Sequence, residues 1–176
     1  EGEKNWYNKL IYGDNLQALK YLLENGYKEQ IKLIYIDPPF ATQSDFSNGE
    51  VKAYRDKLEG AEFVEFLRER LFLMRELLSK DGSMYVHLDQ KMGHYIKIIL
   101  DDVFGKEYFK NELIWCFTGP SQTTKFFVRK HSNIFFYTKT KDYTFNTELL
   151  RIPYKKSTAS SGKNSFTGNT PLEKIK

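Results

Sequence analysis

The sequence predicts an α/β fold in which helices cover both faces of a mostly parallel sheet. Helix-type and strand-type apolar patterns alternate along the chain, which is typical of a sheet built from strand–helix units. Hydrophobic residues make up 40% and charged residues 28% of the 176 positions, as in a globular domain with a core. No apolar run approaches the roughly 20 residues that span a bilayer, so a membrane protein is not expected.

The first predicted elements are a strand, a helix and a second strand. Lys9–Tyr12 has the residue types of a short strand that ends before a glycine. Asn15–Glu24 places four leucines on one stripe and stops at Asn25 and Gly26, as an amphipathic helix does. Ile31–Ile36 is rich in isoleucine and reads as a buried strand, which prolines then end.

The middle of the chain predicts a long loop followed by helix, strand and helix. Residues 41–60 lack periodicity, and we expect them to form a flexible flap. Glu62–Ser79 repeats apolar residues at intervals of three and four, the strongest helix signal in the chain. Ser83–Asp89 alternates polar and apolar residues as a strand does, and a further helix is expected at about 91–103.

The last third predicts two strands, Glu112–Phe117 and Asn133–Tyr137, joined by a segment that contains glycine, proline, hydroxyl residues and basic residues. After about residue 150 the sequence turns to Ser, Thr, Gly, Asn and Lys and loses apolar periodicity. We therefore expect a domain over residues 1–150, and a linker or the start of another region over 151–176.

The charge is unevenly distributed. Residues 1–50 carry 5 basic and 8 acidic side chains, residues 51–105 carry 9 and 10, and residues 106–176 carry 13 and 5. A C-terminal segment with a net charge of +8 is a candidate surface for a polyanion such as nucleic acid. A solvated basic surface with no such partner is the simpler interpretation of charge alone.

Cysteine and histidine are too sparse for a disulfide framework or a metal module. Cys116 is the single cysteine, and we expect it to be a small core residue of its strand. The three histidines are scattered, so no metal is expected. His87 and Asp89 alternate along one strand and could form a proton relay, but a structural role is favoured.

Asp37, Pro38, Pro39 and Phe40 follow the strand Ile31–Ile36 directly and form the main candidate site. Ligands of open α/β sheets bind beyond the carboxyl ends of the strands. Proline lacks an N–H and fixes its own φ, so a carboxylate and a nearby carbonyl oxygen remain available as acceptors. The exocyclic amine of a nucleobase offers two N–H donors and a ring face on which Phe40 could stack.

These residues and several others in the same order resemble the permuted, or beta-group, DNA amino-methyltransferases, which include the modification subunits of type III restriction systems. The resemblance covers about residues 8–141. The segments that carry it are Tyr12–Leu16, Leu33–Phe40 with its Asp-Pro-Pro-Phe motif, Phe66–Leu71, Asp81–Asp89, Asn111–Trp115 and Lys130–Tyr137.

The resemblance implies a Rossmann-like fold and an enzyme that uses S-adenosylmethionine to methylate the exocyclic amine of adenine in double-stranded DNA. Asp37 and Pro38 would hold the target amine, with Pro39 shaping the motif and Phe40 stacking on the flipped base. Asp14, Asn15 and Asp37 would contact the cofactor. For Asp14, a helix N-cap is an equally good interpretation.

The resemblance also has consequences for partners and completeness. DNA contacts are expected from Lys125, Arg129 and Lys130, and from Lys155, Lys156 and Lys163 in the polar tail. Phe126 and Phe127 lie among these charges as in many nucleic-acid surfaces, although core packing is equally expected of one of them. The glycine-rich cofactor loop of the family has no match in the chain, so the fold is expected to be incomplete here. A restriction subunit, a second copy of the chain and a bacterial or archaeal cytoplasm are compatible with the resemblance.

Three alternatives remain open at this point. The same acceptors would serve the exocyclic amine of cytosine, and only family habit connects an aspartate at position 37 with adenine. The basic last third and the missing glycine loop would also fit a catalytically silent DNA-binding fragment. A generic nucleotide-binding α/β domain is the least favoured alternative.

Overall fold

The computed structural model describes residues 8–38, 61–120 and 123–150. These ranges contain three α-helices, four strands and two short 3-10 helices at Lys106–Tyr108 and Thr147–Leu150. In chain order the main elements are α1 (Asn15–Glu24), β1 (Ile31–Ile36), α2 (Ala61–Leu77), β2 (Leu78–Asp89), α3 (Gly93–Phe104), β3 (Phe109–Cys116) and β4 (His131–Thr138).

The four strands form one mixed sheet in the order β1-β2-β4-β3. β1 and β2 are parallel, whereas β4 is antiparallel to both of its neighbours. Three of the four strands therefore point in one direction, and only β4 is reversed. The carboxyl ends of β1, β2 and β3 consequently lie at the same edge of the sheet, which we call the carboxyl edge.

The core lies between one face of the sheet and the three helices. The central strands contribute fully or nearly fully buried apolar side chains to it. Residues of α2 and α3 that recur at intervals of three and four pack against them, because each helix carries an apolar stripe. The buried core residues of the strands are Leu78, Met84, Val86, Leu88, Phe135 and Tyr137. α2 packs against both α1 and α3. We call this side of the sheet the helix face.

The opposite side, which we call the open face, carries the alternate residues of each strand. Tyr85 stacks on Phe136 with a ring-centroid distance of 4.6 Å. Leu33, Tyr35 and Trp115 are exposed there. Helices were expected on both faces, and within the described ranges the helices pack on the helix face.

The chain before β1 departs from the sequence prediction in one element. Lys9–Tyr12 is not a strand, and Tyr12 is fully exposed because no described strand pairs with this segment. α1 has the predicted bounds. Its start is stabilised by Asp14, whose carboxylate accepts hydrogen bonds from the backbone N–H groups of Leu16 and Gln17.

The start of β2 is irregular. Ile31 pairs with Leu78, but Leu33 pairs with Ser83, so residues 79–82 form an insertion in β2 relative to β1. The predicted helix 62–79 therefore ends at Leu77, and the predicted strand starts five residues early. The insertion is fixed by Asp81, whose carboxylate accepts from Lys32 at 2.6 Å and from the Ser79 hydroxyl at 2.8 Å.

The remaining predicted elements match closely. The predicted helix at about 91–103 is α3, and the predicted strands 112–117 and 133–137 lie within one to three residues of β3 and β4. No helix in the described ranges has the length and apolar character needed to cross a membrane.

The chain divides into two compact units, Glu1–Thr144 and Phe145–Lys176. In the second unit the structure describes residues 145–150, which include the 3-10 turn Thr147–Leu150. The expected flap at 41–60 and the expected region at 151–176 lie outside the described residues, so the division at residue 150 stays a prediction.

Candidate functional site

The predicted site residue Asp37 lies at the carboxyl edge, directly after the last residue of β1. Its side chain is 55% exposed, although its backbone continues a strand whose last four residues are paired with β2. Pro38 is buried beside it. A fixed backbone with an accessible carboxylate is the arrangement that the sequence predicts here. Pro39 and Phe40 lie outside the described residues.

Two aromatic side chains accompany Asp37 on the open face. The Tyr35 hydroxyl and the His87 Nδ1 atom lie 2.9 Å apart, within hydrogen-bond distance. The same Nδ1 atom lies 3.9 Å from Oδ2 of Asp37. The three side chains therefore form a contiguous cluster, which we call the Asp37 cluster.

The surroundings of Tyr35 in the Asp37 cluster change the pKa of its phenol. Burial raises the pKa of Tyr35, and the negative charge of Asp37 raises this pKa further. A tyrosine is already protonated at neutral pH and both effects act in the same direction, so the Tyr35 hydroxyl can donate a hydrogen bond to Nδ1 of His87. His87 is well covered, with 19% of its side chain exposed.

Sequence reasoning did not connect Tyr35 or His87 with Asp37. The sequence favours a structural role for His87 and indicates no role for Tyr35. The signal that could have found them is the side-chain period of two in a strand, which puts Tyr35 and Asp37 on one face. His87 reaches them because β2 pairs with β1 in a particular register, between residues about 50 positions apart. The local sequence does not encode this register.

The predicted cofactor residues Asp14 and Asn15 lie at the start of α1. α1 and α2 both end near the amino end of β1, where the Glu29 N–H donates to the carbonyl of Glu76 at 3.0 Å. α1 packs against α2, and its start lies beside Arg70 in the middle of α2. The N-cap interpretation of Asp14 is confirmed, and one carboxylate oxygen is committed to it.

Arg70 of α2 holds these two residues in place. It is a buried cation that donates to the Asn15 side-chain oxygen at 2.6 Å, to the Phe66 carbonyl at 2.9 Å and to Asp14 Oδ2 at 3.5 Å. Its guanidinium carbon also lies 3.4 Å from the centroid of the Phe66 ring. The start of α1 is thereby fixed to the middle of α2.

The segment between β3 and β4 also lies at the carboxyl edge, because β3 ends there and β4 begins there. We call residues 117–130 the basic loop. Its base is closed by a hydrogen bond from the Phe117 N–H to the Lys130 carbonyl at 3.0 Å. Phe127 is 98% exposed, and the guanidinium of Arg129 lies 5.7 Å from the centroid of the Phe126 ring.

The basic loop brings together three of the predicted DNA-binding residues. Lys125 and Arg129 are exposed and Lys130 is half-buried. Core packing of a phenylalanine is not observed, since Phe126 is also exposed. The other three predicted residues, Lys155, Lys156 and Lys163, lie outside the described residues.

Cys116 was expected in the core, but it is exposed because it ends β3 at the rim of the sheet. In the part of the chain that the structure describes, no group of three or more His, Cys, Asp or Glu side chains could hold a metal ion. Asp89 instead accepts hydrogen bonds from the backbone N–H groups of Lys91 and Met92.

Comparison with known proteins identifies relatives over most of the chain. A family model described as DNA methylase matches residues 31–175. The chain is 41% identical over 146 residues to the type II methyltransferase M.EcaI of Enterobacter cloacae, an alignment that covers 82% of this chain and 32% of that protein. It is 30% identical over 203 residues to the Mod subunit of the type III restriction-modification enzyme EcoP15I of Escherichia coli, covering 99% of this chain and 31% of that protein.

A solved structure shares the fold. The PvuII DNA methyltransferase, described as cytosine-N4-specific, superposes with a TM-score of 0.56 at 20% sequence identity, over 78% of this chain and 51% of that one. The predicted Rossmann-like α/β fold is thereby confirmed. The chain spans about a third of the length of the two curated relatives named above.

Proposed function

The chain belongs to the DNA methylase family, and we propose that it is part of an enzyme that transfers a methyl group from S-adenosylmethionine to the exocyclic amine of adenine in double-stranded DNA. The observation that carries the proposal is Asp37, an accessible carboxylate on a rigid strand end at the carboxyl edge. Sheet edges of this kind are where α/β folds bind their ligands.

Asp37 would act as a fixed hydrogen-bond acceptor for the target amine. The lone pair of an exocyclic amine is delocalised into the base, so the amine is a weak nucleophile. Acceptance of its N–H bonds by Asp37 and by the carbonyl of Pro38 favours a pyramidal nitrogen with a localised lone pair. Acceptors that are already in place stabilise the positive charge that develops on nitrogen in the transition state.

The reaction forms one N–C bond and breaks one S–C bond, and the surplus proton of the amine leaves to Asp37 or to solvent. S-adenosylmethionine supplies the methyl group when it is bound. The acceptor chemistry of Asp14, Asn15 and Asp37 fits the hydroxyl, amine and cationic groups of that molecule, and we propose that these residues hold it. The hydrogen bonds from Arg70 would keep Asp14 and Asn15 in place for this contact.

The target base must leave the duplex to reach Asp37. We propose that Phe40 stacks on this base and that Pro39 sets its position, on the basis of the motif alone. The basic loop would hold the DNA through Lys125, Arg129 and Lys130. β4, where the loop ends, lies two strands from β1, or about 10 Å away at the usual strand spacing. Lys155, Lys156 and Lys163 are proposed to add phosphate contacts.

The wider assembly is also a proposal. Residues 1–150 would belong to the catalytic domain and residues 151–176 to the start of the target-recognition region. A restriction subunit would be the partner in a type III arrangement, and a second copy of the chain would provide a dimer. The reaction would take place in a bacterial or archaeal cytoplasm.

Replacement of Asp37 by alanine in the complete protein tests the function. Methyl transfer to DNA should fall by at least about a hundredfold, the scale of losing one preorganised transition-state contact, whereas DNA binding should remain. Asp102→Ala, which removes an exposed carboxylate near the end of α3, is the matched control and should methylate normally. Full activity of the Asp37 variant would remove Asp37 from the mechanism.

Identification of the methylated nucleoside separates adenine from cytosine. DNA methylated by the complete protein would be digested to nucleosides, and the modified base would be identified by mass. Methylated adenine is the expected product. Methylated cytosine would keep the role of Asp37 and overturn the choice of base.

A further inference from the structure

The register of β1 against β2 builds the Asp37 cluster. Tyr35 pairs with Tyr85 and Ile36 pairs with Val86, so the next position along β1, Asp37, lies alongside His87. Tyr35 and Asp37 are two residues apart and share the open face. His87 therefore faces both of them, which explains the distances of 2.9 Å to the Tyr35 hydroxyl and 3.9 Å to the Asp37 carboxylate.

The three side chains differ in access to solvent. Tyr35 and Asp37 are about half exposed, whereas His87 is mostly covered. The edge of one ring faces the other ring, with the centroids of Tyr35 and His87 6.2 Å apart and an interplanar angle of 62°. The imidazole is thus held between a phenol and a carboxylate that both reach the surface.

Nδ1 of His87 has two ways to interact within this cluster. It can accept a hydrogen bond from the Tyr35 hydroxyl, in which case the imidazole is neutral and both Asp37 oxygens remain available. Alternatively, it can carry a proton and donate it to Asp37, which would occupy Oδ2. The distances favour the first arrangement, because Nδ1 lies 2.9 Å from the Tyr35 hydroxyl and 3.9 Å from the Asp37 carboxylate. Burial and the charge of Asp37 also raise the pKa of Tyr35, which keeps the phenol a hydrogen-bond donor.

We propose that Tyr35 and His87 are positioning residues that keep the carboxylate of Asp37 free and oriented toward the target amine. The inference rests on the function proposed above and extends it to a contact between two strands. Tyr35 occupies Nδ1, and the imidazole limits the directions in which Asp37 can point. Neither residue touches substrate in this proposal. Their effect is transmitted through the geometry of one acceptor, to which catalysis is sensitive.

Kinetics in the complete protein test the proposal first. Tyr35→Phe and His87→Ala should each lower kcat about tenfold or more, and should change KM for DNA and for S-adenosylmethionine by less than about twofold, because the orientation of the acceptor matters most in the transition state. Tyr85→Phe is the matched control. It removes the hydroxyl of another tyrosine on the open face, whose ring stacks on Phe136, and it should leave kcat unchanged.

Two conservative variants of His87 distinguish positioning from simple packing. The amide of asparagine places an acceptor oxygen near the position of Nδ1, whereas the longer glutamine places its amide near Nε2. His87→Asn should therefore recover a large part of kcat, and His87→Gln should not. Equal recovery by both variants, or wild-type kcat in Tyr35→Phe, would overturn the proposal.

Titration of the phenol tests the geometry without any catalysis. Asp37→Asn removes one of the two causes that raise the pKa of Tyr35, so this pKa should fall. The pKa of Tyr85 is raised by burial and by Tyr143, so it should not respond. Ring-specific tyrosine NMR against pH measures both.

The outcomes separate the two levels of inference. Loss of methyl transfer in Asp37→Ala combined with an unchanged Tyr35 pKa in Asp37→Asn would overturn the cluster and leave the proposed function standing. Normal methyl transfer in Asp37→Ala would overturn the proposed function, and the role of Tyr35 and His87 would fall with it. The expected pattern is loss of methyl transfer together with a lowered Tyr35 pKa.

Discussion

Arg70 and Asn15 join two helices through one hydrogen bond of 2.6 Å, formed between residues that are 55 positions apart in the chain. Arg70 is 5% exposed and its guanidinium also donates to the Phe66 carbonyl, so its charge is satisfied without a strong ion pair. The partner carboxylate of Asp14 is 3.5 Å away and 37% exposed. Hydrogen bonding and ring contact therefore dominate the stabilisation by Arg70.

We predict that Arg70→Leu lowers the free energy of unfolding by about 2 kcal/mol, the usual scale for hydrogen bonds to a charged group. It should also weaken S-adenosylmethionine binding if Asp14 and Asn15 hold that molecule. Urea unfolding and calorimetric titration measure the two effects. The control is Arg68→Leu, which removes a partly exposed arginine two residues away on α2. This change should lower the free energy of unfolding by less than about 1 kcal/mol.

Gly82 should not tolerate a side chain. A Cβ atom at this position would lie 3.0 Å from the Ile31 carbonyl oxygen and 3.0 Å from the Ser79 carbonyl oxygen, both of which belong to backbone. We predict that Gly82→Ala lowers the free energy of unfolding by about 1–3 kcal/mol through overpacking.

Gly93→Ala provides the comparison for Gly82. A Cβ atom there would have its nearest neighbour at 3.6 Å, an ordinary contact, and Gly93 begins α3. Alanine favours helix, so stability should be unchanged or slightly higher. An unfolding midpoint for Gly82→Ala that equals the parent value would contradict the close approach of β1 to the insertion in β2.

Asp81 should make stability sensitive to acid. A hydrogen bond from Lys32 and a second from Ser79 lower the pKa of Asp81 from 3.8 to about 2. Since this pKa is depressed in the folded state, the stabilisation is present above about pH 4 and is lost as the pH falls toward 2. Asp81→Asn should flatten the dependence of Tm on pH in that window.

The control for the acid effect is Asp142→Asn, which changes an exposed aspartate outside the insertion. Its Tm should follow the parent protein between pH 4 and pH 2. If the Tm of Asp81→Asn falls with pH as steeply as the Tm of the parent protein, the contacts of Asp81 with Lys32 and Ser79 do not govern acid stability.

The basic loop should contribute to DNA affinity through phosphates. Lys125→Ala and Arg129→Ala should each weaken binding about equally for all sequences, and should each reduce the slope of log affinity against log salt by about 1. Fluorescence anisotropy at several salt concentrations measures this. Lys20→Ala, on the exposed side of α1, should leave the slope unchanged; a wild-type slope in both loop variants would exclude the loop from the interface.

The local sequence is sufficient to predict most of the helices and strands. α1 has an N-cap aspartate, a leucine stripe and a glycine beyond its end, so the local sequence and the tertiary structure agree. The apolar residues of Lys9–Tyr12 carry a strand signal of similar strength, but a strand also requires a partner, and no described strand pairs with them. The early start of β2 likewise depends on pairing with Ile31 and not on the residues themselves.

The candidate site likewise contains one part that the local sequence predicts and one part that depends on strand pairing. Asp37 was predictable because its strand and the prolines that follow it are adjacent in sequence. Its relation to His87 was not predictable, because the distance between them depends on which residue of β2 pairs with Ile36. The exposure of Cys116 has a similar origin, since an apolar strand in sequence does not reveal that it will lie at the edge of the sheet.

The insertion at residues 79–82 has a consequence for how this protein can change during evolution. Gains or losses of residues at 79–81 would disturb the contacts of Asp81 with Lys32 and Ser79, but they would leave the pairing of Tyr35 and Ile36 with β2 unchanged. A single deletion between Leu33 and Asp37 would turn the carboxylate to the other side of the sheet. A change of length before the paired segment should therefore cost stability, whereas a change within it should remove the site itself.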